Sequence, residues 1–229
     1  MRPGLVIFDC DGVLVDTETL ANRRLAEWLR EAGFETTYEQ CRAVFTGRSM
    51  SAVKAEVEAT GISLGADFVD RWNDGLAELF ANRVQAIPHV RGQVEAIRAS
   101  GLPYCVASSA RVTKMHLTLG ATGLLPFFED VLFSASMVKR GKPFPDLFLH
   151  AATTMGFAPA DCVVIEDSVP GTIAGIAAGM RVLSYCGDPH GDREGLAAAG
   201  GELFDDMREL AGLIGLDQIG PFAGTPDRA

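Results

Sequence analysis

The chain of 229 residues lacks paired cysteines, a membrane span and a targeting pattern. It has no CxxC pair among its five cysteines, no apolar run near the roughly 18 to 20 residues of a membrane span, and no signal-peptide pattern before Asp9. The cysteines are odd in number and most of them lie in apolar runs such as YCVAS, which indicates buried thiols in a reducing compartment. We therefore expect a cytoplasmic protein.

Positive charge is also scarce. With 20 Lys and Arg against 30 Asp and Glu, the formal net charge is −10. This excess disfavours nucleic acids and anionic membranes as partners, because both would repel the chain. An anionic substrate can still bind where a metal ion and local basic groups reverse the field. The predicted helices carry no stripe that demands a partner, so we expect a monomer or a weak homo-oligomer.

Short, continuous apolar runs recur along the chain, and each of them ends in polar residues. Continuous runs favour strands that are buried on both faces, as in a parallel sheet, and helical patterns separate them. The predicted fold class is therefore α/β, with a doubly wound, Rossmann-like parallel sheet as its core. The runs are LVIF, PYCVA, DVLF, CVVI and MRVLSY.

Residues 17–87 differ from the rest, because their patterns are helical and no strand-like run stands out among them. Leu25, Trp28 and Leu29 form one helical face, and the segment DFVDRWNDGLAELFANRV is typical of a second long helix. We predict that residues 1–16 and 88–229 form the α/β core domain. Residues 17–87 would then be a helical cap domain inserted after the first strand.

Residues able to carry chemistry follow four of the apolar runs. Ligands of doubly wound sheets bind beyond the carboxyl ends of the strands, so we expect these residues to meet at one edge. Several carboxylates, hydroxyls and a lysine suit Mg²⁺ and a phosphate group, since hard oxygen ligands favour this ion. In chain order the residues are Asp9, Asp11, Ser108, Ser109, Lys142, Glu166 and Asp167.

Four motifs resemble those of the haloacid dehalogenase superfamily of aspartate-dependent phosphohydrolases. DCDGVLVDTE resembles the DxDGxxxDxE signature, VASSA the Ser/Thr motif, GKPFPD the lysine motif and VIEDSVPG the acidic metal motif. They occur in the family's order, and the helical insert stands where the family has its first type of cap. The resemblance covers essentially the whole chain. It implies a phosphatase that uses Mg²⁺ and acts on a small phosphorylated metabolite.

The resemblance also implies the catalytic roles. Asp9 would be the nucleophile that forms an aspartyl phosphate, and Asp11 would protonate the leaving oxygen and then activate water. Ser108, the backbone N–H of Ser109 and Lys142 would bind the phosphate oxygens.

The metal ligands follow from the same resemblance. The Asp9 side chain, the Asp11 backbone carbonyl and Asp167 would hold Mg²⁺, while Glu166 is either a further ligand or a hydrogen-bond partner behind the ligands. We expect opposing positive charge to lower the pKa of Asp9.

Substrate choice is the most open point. Arg48, in FTGRSMS of the insert, would contact the distal group of a substrate, although a solvated arginine is equally open. For Lys114, a position on an ordinary helix surface is favoured over a contact with the substrate. The segments ANR, TKMH and YCGDPH resemble phosphatases of 6-phosphogluconate and related sugar phosphates.

Two alternatives to a sugar phosphatase stay open. The first is a phosphosugar mutase similar to β-phosphoglucomutase. This chain has Ala21 where that mutase has a hinge histidine and Met50 where it has an arginine, and both differences favour the phosphatase. The second is a non-catalytic binding module on the same fold, although every chemical position is filled here.

Overall fold

The computed structural model describes residues 2–45 and 50–216, and Arg48 lies outside the described residues. Within these ranges six strands form one parallel sheet, whose order from edge to edge is third, second, first, fourth, fifth and sixth. The predicted doubly wound α/β core is confirmed. The strands are β1 Leu5–Phe8, β2 Tyr104–Ser108, β3 Leu132–Ser134, β4 Cys162–Glu166, β5 Arg181–Tyr185 and β6 Glu202–Phe204.

Helices connect the strands and fill most of the remaining chain. Short 3₁₀ turns lie at Ala135–Met137, Pro159–Asp161 and Met207–Glu209. The α-helices are α1 Thr17–Glu31, α2 Tyr38–Phe45, α3 Met50–Glu58, α4 Phe68–Arg83, α5 Val90–Ala99, α6 Val112–Ala121, α7 Leu125–Phe128, α8 Asp146–Met155, α9 Val169–Ala177, α10 Arg193–Ala198 and α11 Leu210–Leu213.

Strand β1 lies in the middle of the sheet, between β2 and β4, and all four of its residues are buried. Val6 and Phe8 pack into the apolar layer on one face, and Leu5 and Ile7 pack into the layer on the other. Burying one such side chain contributes about 1.5–3 kcal/mol. Burial on both faces therefore fixes the position of β1, and the residues after it begin at the centre of the carboxyl edge.

The helical insert, α1 to α4, has an apolar cluster of its own. Leu25 and Leu29 of α1 pack with residues of the other three helices. The Trp28 ring contacts the rings of Phe68 and Trp72 edge to face, with centroids 6.0 and 5.7 Å apart. Such pairs stabilise a structure beyond the area they bury. The insert therefore has an apolar core separate from the two layers that flank the sheet.

The chain leaves the core and returns to it at neighbouring points. Val15 forms an antiparallel bridge with Ala86, and the N–H of Asp16 donates to the carbonyl of Gln85 over 2.9 Å. The Asp16 side chain then accepts a hydrogen bond from the N–H of Thr19 and caps α1. These contacts tie both connections of the insert to the carboxyl edge of the sheet.

All five cysteines are free thiols, and four of them are buried. Within the described ranges, no helix combines the length and the apolar character that crossing a bilayer requires.

Candidate active site

The carboxyl end of β1 delivers Asp9 into the interior. The N–H of Asp9 donates to the carbonyl of Ile165 on β4 over 2.9 Å, and Asp9 is only 7% exposed. This backbone bond places Asp9 beside Glu166, the residue that follows Ile165. A turn then begins at Gly12, where φ is +81°, a conformation that glycine adopts without the cost of a Cβ clash.

Lys142 joins the two strand ends. Its Nζ lies 2.6 Å from Asp9 Oδ1 and 2.6 Å from Glu166 Oε1, and its side chain is 4% exposed. Burial by itself lowers the pKa of Lys142, but the carboxylates of Asp9 and Glu166 outweigh burial and raise it. The ammonium group therefore stays charged, and its Nζ also lies 4.9 Å from the centroid of the Phe148 ring.

Three carboxylates converge beside this lysine. Asp9, Glu166 and Asp167 each offer an oxygen, and these oxygens lie within 4.8 Å of one another. Burial raises the pKa of Asp9 to about 7, and Glu166 and Asp11 add to the rise while Lys142 opposes it. Our prediction of a lowered pKa is therefore wrong for the chain's own groups, because loss of hydration outweighs one lysine. Burial, followed by the charges of Glu166 and Asp9, likewise raises the pKa of Asp167 well above its ordinary value.

Glu166 and Asp167 differ in what they contact. Glu166 is fully buried; its Oε1 accepts from Lys142, and its Oε2 accepts from the N–H groups of Asp167 and Ser168 and from the Ser168 hydroxyl. Within the described ranges, no hydrogen-bond donor reaches the Asp167 carboxylate. Glu166 is thus saturated by protein donors, whereas Asp167 has its oxygens available to a ligand.

Asp11 points away from this cluster, to the side of the helical insert. Its Oδ1 accepts a hydrogen bond from the Thr17 hydroxyl over 2.8 Å, and its Oδ2 lies 2.7 Å from Lys114 Nζ. Asp9 and Asp11 therefore face different partners although they are two residues apart. This division suits a pair of carboxyl groups that act on opposite sides of one reacting atom.

The serine motif lies at the same edge, on the other side of β1. Phe8 pairs with Val106, so Ser108, at the end of β2, lies two residues further along that strand. Ser108 is buried, and its Oγ accepts from the N–H of Ala110, while Ser109 is exposed. The sheet thus brings the serines to the site's edge, although within the described residues neither forms a hydrogen bond with Asp9 or Lys142.

A cavity of about 990 Å³ opens between the helical insert and the core, on the Asp11 side. Its insert wall is largely apolar and includes Ala21, Met50 and Phe80, and its core wall includes the cations Arg111 and Lys114. A volume of this size holds a small metabolite. Ala21 and Met50, the two positions that separate this chain from the mutase pattern, therefore both line the space beside the site.

Two side chains at this interface were not predicted as site residues. Lys114 was assigned to an ordinary helix surface, but it lies in the first turn of α6 and pairs with Asp11. Because α6 starts at the carboxyl edge of the sheet, its first turn has to face the site, and this signal was present in the sequence.

Arg42 of α2, the second of these side chains, lies outside the four motifs. Its buried guanidinium forms an ion pair with Asp188, in the loop after β5, and lies 3.6 Å from Glu18. It joins the helical insert to the core.

Comparisons with known proteins agree with this geometry. The family model of haloacid dehalogenase-like hydrolases matches residues 3–179. The chain belongs to this family of hydrolases.

Three similar proteins illustrate the range of the family. The chain is 35% identical over 189 residues to a 6-phosphogluconate phosphatase of Escherichia coli K12, which covers 81% of this chain and 83% of that protein. A hydrolase structure of the same family from Deinococcus radiodurans R1, with bound phosphate and sodium, superimposes with a TM-score of 0.84 at 32% identity, covering 93% of this chain and 95% of that one. A candidate β-phosphoglucomutase from Thermotoga maritima gives a TM-score of 0.78 at 28% identity, covering 96% and 100%.

Proposed function

We propose that the protein is a Mg²⁺-dependent phosphatase that hydrolyses a small sugar or sugar-acid phosphate through an aspartyl phosphate on Asp9. The observation that carries the proposal is the contact of Lys142 with both Asp9 and Glu166. A cavity of metabolite size lies next to Asp11, since Thr17 and Lys114, which contact Asp11, line it. A buried carboxylate beside a fixed ammonium group is poised to receive a phosphoryl group. Phosphoryl transfer depends mainly on such positioning and charge neutralisation.

The donor set fits magnesium. The converging side-chain atoms are carboxylate oxygens, the hard ligands that Mg²⁺ selects, and the site contains neither sulfur nor imidazole among them. The side chains of Asp9 and Asp167 and the backbone carbonyl of Asp11 would hold the ion. Glu166, whose oxygens already accept four hydrogen bonds, would orient Lys142 and the loop of Asp167. Bound Mg²⁺ supplies positive charge that offsets the negative charge of the phosphoryl group.

The reaction divides into two displacements. A carboxylate oxygen of Asp9 attacks phosphorus, the bond from phosphorus to the ester oxygen breaks, and Asp11 gives its proton to that oxygen. Asp11 then accepts a proton from a water molecule, which attacks phosphorus, releases inorganic phosphate and restores Asp9. Acid–base assistance of this kind contributes about 10²- to 10⁴-fold in rate. Lys142, Ser108 and the N–H of Ser109 bind the phosphate oxygens in both steps.

Residues 17–87 act as a cap in this proposal. The insert covers the cavity, so closure would exclude water from the reacting groups. Arg111 and Lys114 bring positive charge to the cavity wall of an acidic protein, which favours an anionic substrate. Arg48, outside the described residues, is proposed to contact the distal end of the substrate.

The cellular setting follows from the thiols and the charge. Five free cysteines, four of them buried, favour a reducing compartment, and we place the protein in the cytoplasm. A small phosphorylated metabolite is its partner, with no role for nucleic acid or membrane. We propose a monomer or weak homo-oligomer.

Turnover tests the proposal directly. Hydrolysis of p-nitrophenyl phosphate is measured with Mg²⁺ and with a chelator, for the wild type and for Asp9→Asn, and kcat/KM is then compared across a panel that includes 6-phosphogluconate. We expect Mg²⁺-dependent release of phosphate that Asp9→Asn abolishes. Activity that survives Asp9→Asn would rule out the aspartyl phosphate, and absence of all turnover would favour a binding module.

A mutase is the second candidate, and the likeness to the Thermotoga protein is the observation that favours it. Incubation with β-glucose 1-phosphate and catalytic 1,6-bisphosphate separates the two. A mutase yields glucose 6-phosphate without free phosphate, whereas a phosphatase releases phosphate.

A further inference from the structure

The carboxylate of Asp11 is held between two donors from different parts of the chain. Thr17, the first residue of α1, donates to Oδ1 over 2.8 Å, and Lys114 of α6 contacts Oδ2 over 2.7 Å. One contact leaves a carboxyl group free to turn about its Cβ–Cγ bond. Two contacts, one on each oxygen, fix the plane of the group as well as its position.

Lys114 is itself held in place. Its Nζ lies 5.3 Å from the centroid of the Phe80 ring on α4, so the ammonium group contacts an aromatic ring as well as the Asp11 carboxylate. Within residues 2–45 and 50–216, Lys114 forms the only ion pair with Asp11. Lys114 also lines the cavity beside Asp11, and it is half-buried there.

We propose that Lys114 is a positioning residue, which orients Asp11 for proton transfer to the leaving oxygen. The inference rests on the proposed function, because it concerns the first displacement. In that step the bond between Asp9 and phosphorus forms, the ester P–O bond breaks, and the electron pair left on the ester oxygen takes the Asp11 proton. A misdirected carboxyl group transfers this proton poorly, since geometry governs such transfers. The loss should grow with the basicity of the leaving oxygen.

Two generic esters test this point without knowledge of the natural substrate. Phenoxide is a more basic leaving group than p-nitrophenoxide, so phenyl phosphate depends more on the acid than p-nitrophenyl phosphate does. For Lys114→Met we expect kcat/KM to fall about 10- to 100-fold on phenyl phosphate and less than about threefold on p-nitrophenyl phosphate. Lys114→Arg, which keeps the charged donor, should retain most of the wild-type ratio of kcat/KM for the two esters. Equal losses on both esters, or no loss, would overturn the proposal.

Lys54→Met is the matched control. Lys54 also pairs with a carboxylate, Glu58 at 3.1 Å, but both residues belong to α3 and neither lines the cavity. The variant removes the same charge from the same protein, and both esters should react as they do with the wild type. A shift in ester preference in Lys54→Met would assign the effect to net charge and overturn the role of Lys114.

Crystal structures of the wild type and of Lys114→Met give a measurement that does not depend on turnover. We expect Asp11 to hold one orientation in the wild type and to leave Thr17, or to occupy several orientations, in the variant. An Asp11 carboxylate that keeps its wild-type orientation in Lys114→Met would overturn the proposal. If the proposed function is wrong, the wild type will hydrolyse neither ester. The crystal structures still show in that case whether Lys114 orients Asp11.

Discussion

The carboxylate of Asp167 occupies the space that a side chain on Gly12 would fill. A Cβ on Gly12 would overlap Asp167 Oδ2, and the Gly12 backbone has φ of +81°. The turn after β1 and the acidic loop after β4 can thus pack this closely because residue 12 is a glycine and has no Cβ. Two of the four motifs depend on each other at this point.

Gly12→Ala should therefore disturb the metal site more than the fold. The positive φ costs about 1–2 kcal/mol with a side chain present, and the overlap has to displace Asp167. We expect Mg²⁺ affinity to fall about 10- to 100-fold, as when a group supporting a metal ligand is lost. Calorimetric titration with MgCl₂ measures the affinity.

Gly33→Ala is the control for this change. Gly33 has φ of +91°, and a Cβ there would meet no atom within 4 Å. The two variants share the backbone cost, to which Gly12→Ala adds the displacement of Asp167, but Gly33→Ala should bind Mg²⁺ like the wild type. Equal Mg²⁺ affinity in both variants would show that the Asp167 contact has no part in metal binding.

Lys142→Met should be strongly destabilising. The substitution leaves Asp9 and Glu166 as neighbouring buried carboxylates without their shared cation. Breaking a buried ion pair in this way costs about 3–5 kcal/mol. Urea denaturation measures the loss, and Lys54→Met, at a partly exposed pair within one helix, should change the free energy of unfolding little. Comparable losses in the two variants would contradict the central position of Lys142.

Stabilisation by Mg²⁺ should increase with pH. Burial raises the pKa of Asp9 from 3.8 to about 7, so between these values the folded, metal-free protein binds more protons than the unfolded chain. This carboxyl group therefore makes the metal-free protein less stable as the pH rises from about 4 to 7. Mg²⁺ needs the ionised carboxylate, so metal binding releases protons and strengthens as the pH rises through about 7.

Thermal denaturation with MgCl₂ and with a chelator, at pH 5.5 and pH 8, checks this prediction. We expect the rise in Tm caused by Mg²⁺ to be larger at pH 8. A rise that is the same at both pH values would mean that Asp9 does not bind the ion.

The ion pair between Arg42 and Asp188 should couple the helical insert to the core. The Arg42 side chain is 4% exposed, and two of its nitrogens, Nε and Nη1, have no hydrogen-bond partner within the described ranges. Asp188, together with Glu18 at 3.6 Å, supplies the negative charge that compensates this buried guanidinium. A double-mutant cycle of Arg42→Met and Asp188→Asn should give an interaction energy of about 0.5–3 kcal/mol in urea denaturation.

An exposed pair serves as the reference for this cycle. Arg24 and Glu27 lie 3.0 Å apart on α1, and both side chains are well exposed. Solvent screens such pairs, so the cycle of Arg24→Met and Glu27→Gln should show little coupling. Similar coupling in both cycles would mean that burial adds nothing to the contact between Arg42 and Asp188.

The fold could be predicted because its signals are local. The apolar runs correspond to β1 to β5, since central parallel strands are buried on both faces and show this in consecutive residues. Strand β6 was missed. Glu202–Phe204 has three residues at the edge of the sheet, and only Phe204 is buried, so the pattern is too short and too polar to stand out.

The residue types of the candidate site could also be predicted, because each motif follows one of the strands, directly or, for the lysine motif, after a short loop. Their environment could not. The ion pair of Lys114 with Asp11 joins residues 103 positions apart, and that of Arg42 with Asp188 joins residues 146 positions apart. Neither ion pair can be predicted from the residues adjacent in sequence to either partner.

The pKa of Asp9 shows the same division between local pattern and packing. Residue identity predicted a charged Asp9 carboxylate next to a cation. In the fold, β4, the lysine loop and the acidic loop pack around Asp9 and remove its water, which raises its pKa. The sequence by itself therefore determined the strands and the functional groups that follow them, because both are patterns of consecutive residues. Which groups meet, and how far each is removed from water, came from the packing of distant segments, because charge and solvation depend on distance in space.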